Sequence, residues 1–361
     1  MFFIVSVHRV ACYRSWHRAF YGAVNGNNGI FCAPSHILRV RERGIMKKEE
    51  LICIFSRKIR SILERSAADF LFFEEIRLRV GQPLCICRGR GEEYLTPSGR
   101  ISGNWREAYA VTAADIRETL EFVSHYSLYA FEEELRQGFI TIPGGHRVGL
   151  AGKAVVQGGD IRGLKYISFL NIRLAHQVPG CADGVLPFLW KRDRFCHTLI
   201  VSPPRLGKTT LLRDIIRQVS DGGEHPPQTV GVVDERSELG ACSSGVPQND
   251  LGRHTDVLDG CPKAAGILML LRTMSPRIIA VDEVGSQEDL EALSYSLHCG
   301  CGILATVHGS SLEDLKKKPV LCHLVGEGIF ERYLILSAEA EGRVAWKVMD
   351  ESGRRLGEGY R

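Results

Sequence analysis

Apolar and polar positions change their rhythm part-way along the chain. In the first half the dominant period is two. Ile76, Leu78 and Val80 alternate with Arg77 and Arg79, which predicts a strand with one face in a core and one in water. Gly81-Gln82-Pro83 reads as a turn and residues 84–87 as a second strand. Residues 47–65 predict an amphipathic helix. Thr112-x-x-Asp115 predicts a capping box opening a helix to about residue 123, and residues 128–137 a further helix. Residues 139–142 and 146–150, joined by Pro143-Gly144-Gly145, predict a hairpin, with His146 as a turn residue; 165–173 predict one more strand.

Beyond Pro179-Gly180 the period changes to short apolar runs separated by helical stretches. Strands are predicted over 197–201, 230–234, 278–281 and 303–307, and helices over 209–219, 262–274 and 287–298. Such alternation predicts an α/β fold with a parallel sheet and right-handed crossovers. Residues 332–336 and 343–349 read as an antiparallel pair around Glu341-Gly342. The expected organisation is therefore a smaller α+β domain over 46–180 followed by an α/β domain over 181–361.

Composition adds only bounds. The chain has 361 residues, 44% of them hydrophobic and 24% charged, which is ordinary for a globular protein of two domains. A net charge of +4 is too small to imply nucleic acid. The 12 cysteines fit no zinc pattern: Cys85-x-Cys87 and Cys299-x-Cys301 have the wrong spacing, while Cys53, Cys196 and Cys322 sit in apolar runs. A reducing cytoplasm suits that usage, and no apolar run is as long as the roughly 18 residues of a spanning helix. Residues 1–45 are poor in acids and rich in Arg and His, and read as a disordered extension or an upstream start before Met46.

The densest chemistry lies in TLIVSPPRLGKTT, residues 198–210. An apolar strand, a tight loop (Ser202, Pro203, Pro204, Arg205, Leu206, Gly207) and a helix opening at Lys208-Thr209-Thr210 make a phosphate loop. Its backbone N–H groups cradle phosphate oxygens, Lys208 reaches the outer phosphates, and the Thr209 hydroxyl suits Mg2+. The common pattern opens on Gly where this chain has Ser202. Arg205 stands where many such loops carry Gly, which predicts a tight turn, since only Gly reaches positive φ freely. The competing reading is a basic turn capping a helix.

Three more strand ends carry matching groups. Arg277-Ile-Ile-Ala-Val-Asp282-Glu283 sends two acids off a strand: Asp282 to hold Mg2+ and Glu283 to orient or deprotonate water. Val232-Val233-Asp234-Glu235-Arg236 ends in the same style, so Asp234 or Glu235 could help hold metal or water with Arg236 fixing them; a structural ion-pair cluster explains the same residues equally well. His308, in Thr306-Val307-His308-Gly309, suits a donor to a terminal phosphate. Arg147, Arg173, Arg253 and Arg272 are candidates for transition-state charge, and the residues do not select among them; late on a helix, Arg272 also suits dipole compensation.

SPPRLGKTTLLRDIIRQ, VGVVDERSE, GRHTDVLDGCPKA, LRTMSPRIIAVDEVG and ATVHG, with EEIRLRVGQPL and ITIPGGHRVGLAGKA earlier, together resemble the stage III sporulation protein AA family over residues 46–350. That family is similar to the traffic ATPases of type II and type IV secretion and pilus machines. The resemblance implies a RecA-like P-loop NTPase domain using ATP and Mg2+, with Lys208, Thr209, Asp282 and Glu283 in the two nucleotide motifs. It places 234–238 in an acidic box and His308 in a histidine box. It further implies a homohexamer at the cytoplasmic side of a membrane, working with membrane proteins of a mother-cell to forespore channel. Two other readings stay open: a nucleic-acid-dependent RecA-like ATPase, for which the scattered arginines form no basic stripe with aromatics, and a nucleotide-gated switch with little turnover.

Overall fold

A computed structural model describes residues 51–67, 70, 73–89, 91–124, 126, 138–317, 321–326, 328–339 and 343–361. The expected extension over 1–45, the beginning of the first helix, the helix over 128–137 and the Glu341-Gly342 turn lie outside them.

The first sheet has seven strands in the order β4-β3-β2-β1-β7-β6-β5, antiparallel throughout. They are β1 (Glu75–Arg79), β2 (Cys85–Arg88), β3 (Gly91–Leu95), β4 (Ile101–Ser102), β5 (Phe139–Ile142), β6 (His146–Gln157) and β7 (Asp160–Arg173). Alternation in β1 buries Ile76 and Leu78 against α1 (Arg57–Arg65) through Ile59, Ile62 and Leu63. Full burial of such side chains stabilises by about 1.5–3 kcal/mol each. Arg77 lies on the wetter face, 2.6 Å from Glu75. The helix expected over 47–65 is broken by a turn before Ser56, whose hydroxyl accepts the Ile59 N–H and so starts a new helix. The expected capping box is present: Thr112 and Asp115 exchange bonds at the start of α2 (Ala113–Val123). β6 and β7 run well past the expected 150 and 165, to a turn at Gly158-Gly159; most of their distal residues are exposed and give no period-two signal in the sequence.

The second sheet has eight strands, β12-β11-β13-β14-β10-β15-β16-β17, after a short ribbon of β8 (Trp190–Lys191) and β9 (Arg194–Phe195). β10 (Thr198–Ser202), β11 (Val230–Asp234), β12 (Thr255–Asp259), β13 (Ile278–Val281), β14 (Gly302–His308) and β15 (Arg332–Ala338) are parallel. β16 (Val344–Asp350) and β17 (Arg355–Tyr360) complete one edge antiparallel. Every residue of β10, β11 and β13 is buried, as expected of strands covered on both sides. Ile200 faces α3 (Lys208–Asp221) through Leu211, Leu212 and Ile215. Its neighbours Leu199 and Val201 face the other way, toward Ile267 of α4 (Lys263–Thr273) and Leu293 of α5 (Gln287–His298). Truncating Leu199 to Ala would cost about 2–5 kcal/mol. β12 and β17 were not expected. The first is half-buried at every position, and the second carries two glycines.

Candidate functional site

The strand order brings the C-terminal ends of β10, β13 and β14 side by side. Ser202 and His308 are register partners at the ends of β10 and β14. The loop over 203–207 then turns into α3. Arg205 has φ 65° and Gly207 φ 73°, so the tight turn expected at Arg205 is seen as left-handed backbone on a residue that carries a Cβ, at a cost of about 1–2 kcal/mol. Pro204 and Arg205 are exposed, Pro203 and Leu206 half-buried. Gly207 is the N-cap of α3. No side chain caps it, and no acid stands in the first turn. The first N–H groups of a 14-residue helix are thus left for an outside acceptor, which fits phosphate.

Lys208, only 5% exposed, holds its ammonium 3.2 Å from Glu283 Oε1 and 3.5 Å from Asp282 Oδ1. The Thr209 hydroxyl donates to Asp282 Oδ2 at 2.6 Å. One hydroxyl and one carboxylate side by side are the hard oxygen donors that Mg2+ takes. Thr306 of β14 donates to the other Asp282 oxygen and accepts the Glu283 N–H at 2.9 Å, tying the strand end down. Glu283 itself has φ 56°. Its Oε1 meets His308 Nε2 at 2.7 Å and its Oε2 meets Arg236 Nη1 at 2.7 Å. Burial would raise this carboxyl, but the Lys208 charge and the bonds from Lys208 and His308 hold it below the usual carboxylate range.

The segment after β11 is held differently. Asp234 is buried and gives its oxygens to its own loop, accepting the Glu238 N–H at 2.8 Å and the Gly240 N–H at 2.8 Å. Burial pushes its pKa up against those donors. Glu235 pairs with Lys263. Arg236 does not pair with these two acids; it reaches across to Glu283. Arg213, pushed down by burial and opposed by Asp234 and Asp282, donates to the carbonyls of Glu238 (2.7 Å) and Leu239 (3.1 Å). Of the candidate arginines, Arg147 binds Glu238 at 3.3 Å and the Arg236 carbonyl. Arg173 sits on Glu75 and Arg253 on Asp221, while Arg272 is exposed in the last turn of α4. His146 is not a turn residue: it is the buried first residue of β6, accepting the Ala175 N–H at 2.9 Å.

The family profile described as Sporulation stage III, protein AA matches residues 45–356. The chain belongs to the stage III sporulation protein AA family. It is 43% identical to the Stage III sporulation protein AA of Bacillus subtilis (strain 168) over 290 residues, 80% of this chain and 90% of that one. Two solved structures share the fold at 15% identity. The ATPase DotB of Legionella pneumophila is matched over 78% of each chain with a TM-score of 0.50. The pilus retraction motor PilT with bound ADP is matched over 78% of this chain and 80% of that one, with a TM-score of 0.51. The chain thus shares the mixed α/β fold, with a parallel sheet, of these two ATPase and motor structures. Among the described residues no helix is long and apolar enough to cross a membrane.

Thr306 and Arg213 were missing from the sequence reading as site residues. Thr306 had a signal, because it lies on the strand that carries His308 and points the same way at period two. Arg213 had none: its two carbonyl partners are 25 and 26 residues away, and only the fold brings them together.

Proposed function

We propose that this protein is an ATP-hydrolysing motor of the secretion-ATPase type, energising or assembling a mother-cell to forespore channel complex during sporulation. One observation carries the reading: Lys208, Thr209, Asp282, Glu283 and His308 converge at one sheet end, with Lys208 3.2 Å from Glu283 and Thr209 2.6 Å from Asp282. Bound MgATP supplies the phosphoryl centre and neutralises part of its charge. The chain's own part begins with the loop N–H groups and Lys208 binding phosphate oxygens. The Thr209 hydroxyl and, largely through water, Asp282 hold the metal. Glu283, kept ionised, orients or deprotonates the attacking water. His308 donates to the terminal phosphate and responds to its loss.

Lys208, now paired with both acids, exchanges them for phosphate, and Glu283 is freed to take a water proton. Asp234 and Glu235 belong to this site as the acidic box, shaping the loop that carries Arg236. In this reading residues 46–180 form an N-terminal α+β domain, residues 181–361 the ATPase domain, and the working form is a homohexamer bound to membrane proteins of the channel from the cytoplasmic side. That PilT is described as a motor with ADP, and DotB as an ATPase, supports the assignment. Sedimentation of the full chain with and without a non-hydrolysable ATP analogue, paired with a phosphate-release assay, tests it. Nucleotide-dependent assembly with measurable turnover is expected. An unchanged monomer that releases no phosphate, even with its membrane partners present, would refute it.

A further inference from the structure

The last strand ends on the phosphate loop. In β17, Gly357 and Gly359 share one face, and that face is packed against aromatic rings. A Cβ at Gly357 would lie 2.4 Å from Phe188, and one at Gly359 would lie 2.6 Å from Trp346. Only a strand without side chains at these two positions can lie so close. The next residue on the same face, by the period of two, is Arg361. Its N–H donates to the Val344 carbonyl at 2.9 Å, which fixes its backbone. Its Nη2 donates to the carbonyls of Leu206 (2.8 Å) and Gly207 (3.0 Å). Its Nη1 is buried with no hydrogen-bond partner among the described residues, so those two bonds hold the guanidinium. The fit leaves no room: a Cβ on Gly207 would meet Nη2 at 1.9 Å.

Peptide planarity gives these bonds a consequence on the other side of the loop. In a trans peptide the C=O of one residue and the N–H of the next point in opposite directions. Fixing the carbonyl of Leu206, and bracing that of Gly207, which also accepts the Leu211 N–H at 3.0 Å as the first bond of α3, therefore fixes the N–H groups of Gly207 and Lys208. Both belong to the turn that cradles phosphate, and one leads the residue with φ 73°. We infer that Arg361 is a positioning residue for nucleotide: it holds two loop carbonyls outward and thereby aims two N–H groups at the bound phosphate. This rests on reading residues 202–210 as a phosphate loop. Arg361 lies outside the family match at 45–356.

The test uses the full chain with Arg361→Gln and Arg361→Lys, titrated with the magnesium complex of a non-hydrolysable ATP analogue, alongside steady-state turnover and melting. For Arg361→Gln, Kd and KM are expected to rise about tenfold, with kcat within about twofold. Nucleotide-free melting is expected to stay within about 2 °C. Arg361→Lys, with one ammonium for the two carbonyls, is expected to fall between the two and carries the test if the Gln variant does not fold. Unchanged Kd in either folded variant overturns the inference, as does a loss of affinity that follows a matching loss of melting temperature. If the unsubstituted chain binds no nucleotide, the phosphate-loop reading falls with it; normal binding with an indifferent Arg361→Gln sinks this inference alone.

Discussion

Asp115 in the first sheet region and Glu283 in the second are both carboxylates drawn partly out of water, and both are held below the usual carboxylate range. Their partners differ in kind. Asp115 gives one oxygen to the Ser56 hydroxyl at 2.7 Å and the other to the Thr112 N–H (2.9 Å), the Thr112 hydroxyl (2.7 Å) and Tyr109 OH (2.8 Å). These donors are neutral, short and fixed to the fold, so they outweigh burial and leave the acid nothing further to do. Glu283 is held by Lys208, His308 and Arg236, side chains from a helix, a strand end and a loop. Each can be drawn to another anion. The same direction of shift thus accompanies a structural hub in one place and a candidate site in the other, and the kind of donor tells them apart.

Four substitutions would break or sharpen that contrast. The largest effect is expected from Glu283→Gln: turnover at saturating ATP should fall about 1000-fold, with nucleotide affinity kept or improved. Turnover within tenfold of the unsubstituted chain would remove Glu283 from the chemistry. Asp115→Ala should do the reverse, lowering stability in urea unfolding by about 3 kcal/mol while ATP affinity stays within about twofold, because it strands four donors in the first sheet region. A silent Asp115→Ala would mean the hub is ornamental.

Next comes Lys208→Ala, for which equilibrium dialysis with labelled ATP should show affinity reduced about 100-fold and a native circular-dichroism spectrum. Equal affinity would contradict the phosphate-loop assignment. The smallest effect belongs to His146, which burial and then the nearby His176 push down to about 4. The unfolded imidazole gains its proton near pH 6.5 while the folded one stays neutral, so its stability contribution is complete above about 6.5 and is lost as pH falls toward 4. By pH 5 this should amount to about 2 kcal/mol, and His146→Gln should flatten that slope. An identical slope in the variant would place the acid sensitivity elsewhere.

How much of this was legible beforehand follows from the same physics. β10, β11 and β13 announced themselves because strands buried on both faces are continuous apolar runs; Asp282 and His308 could be placed because each stands at or just past the end of a strand, and Lys208 because it opens the helix after the Gly207 turn. Thr112 and Asp115 were visible as a cap, since a capping box is local in sequence. β12 was hidden because its residues are all half-buried and two of its five are Asp. β17 was hidden because its inward positions are glycines, whose role is to admit Phe188 and Trp346. The pairing of Arg236 with Glu283 rather than with its neighbours depends on how two loops pass one another, and no spacing along the chain records that.

The most direct test of the central claim is a calorimetric titration of the unsubstituted full chain with a non-hydrolysable ATP analogue, with Mg2+ present and then withheld. One nucleotide bound per chain, with affinity that falls when Mg2+ is withheld, is the result expected from Lys208, Thr209 and Asp282 sharing one site. No saturable binding under either condition would contradict it.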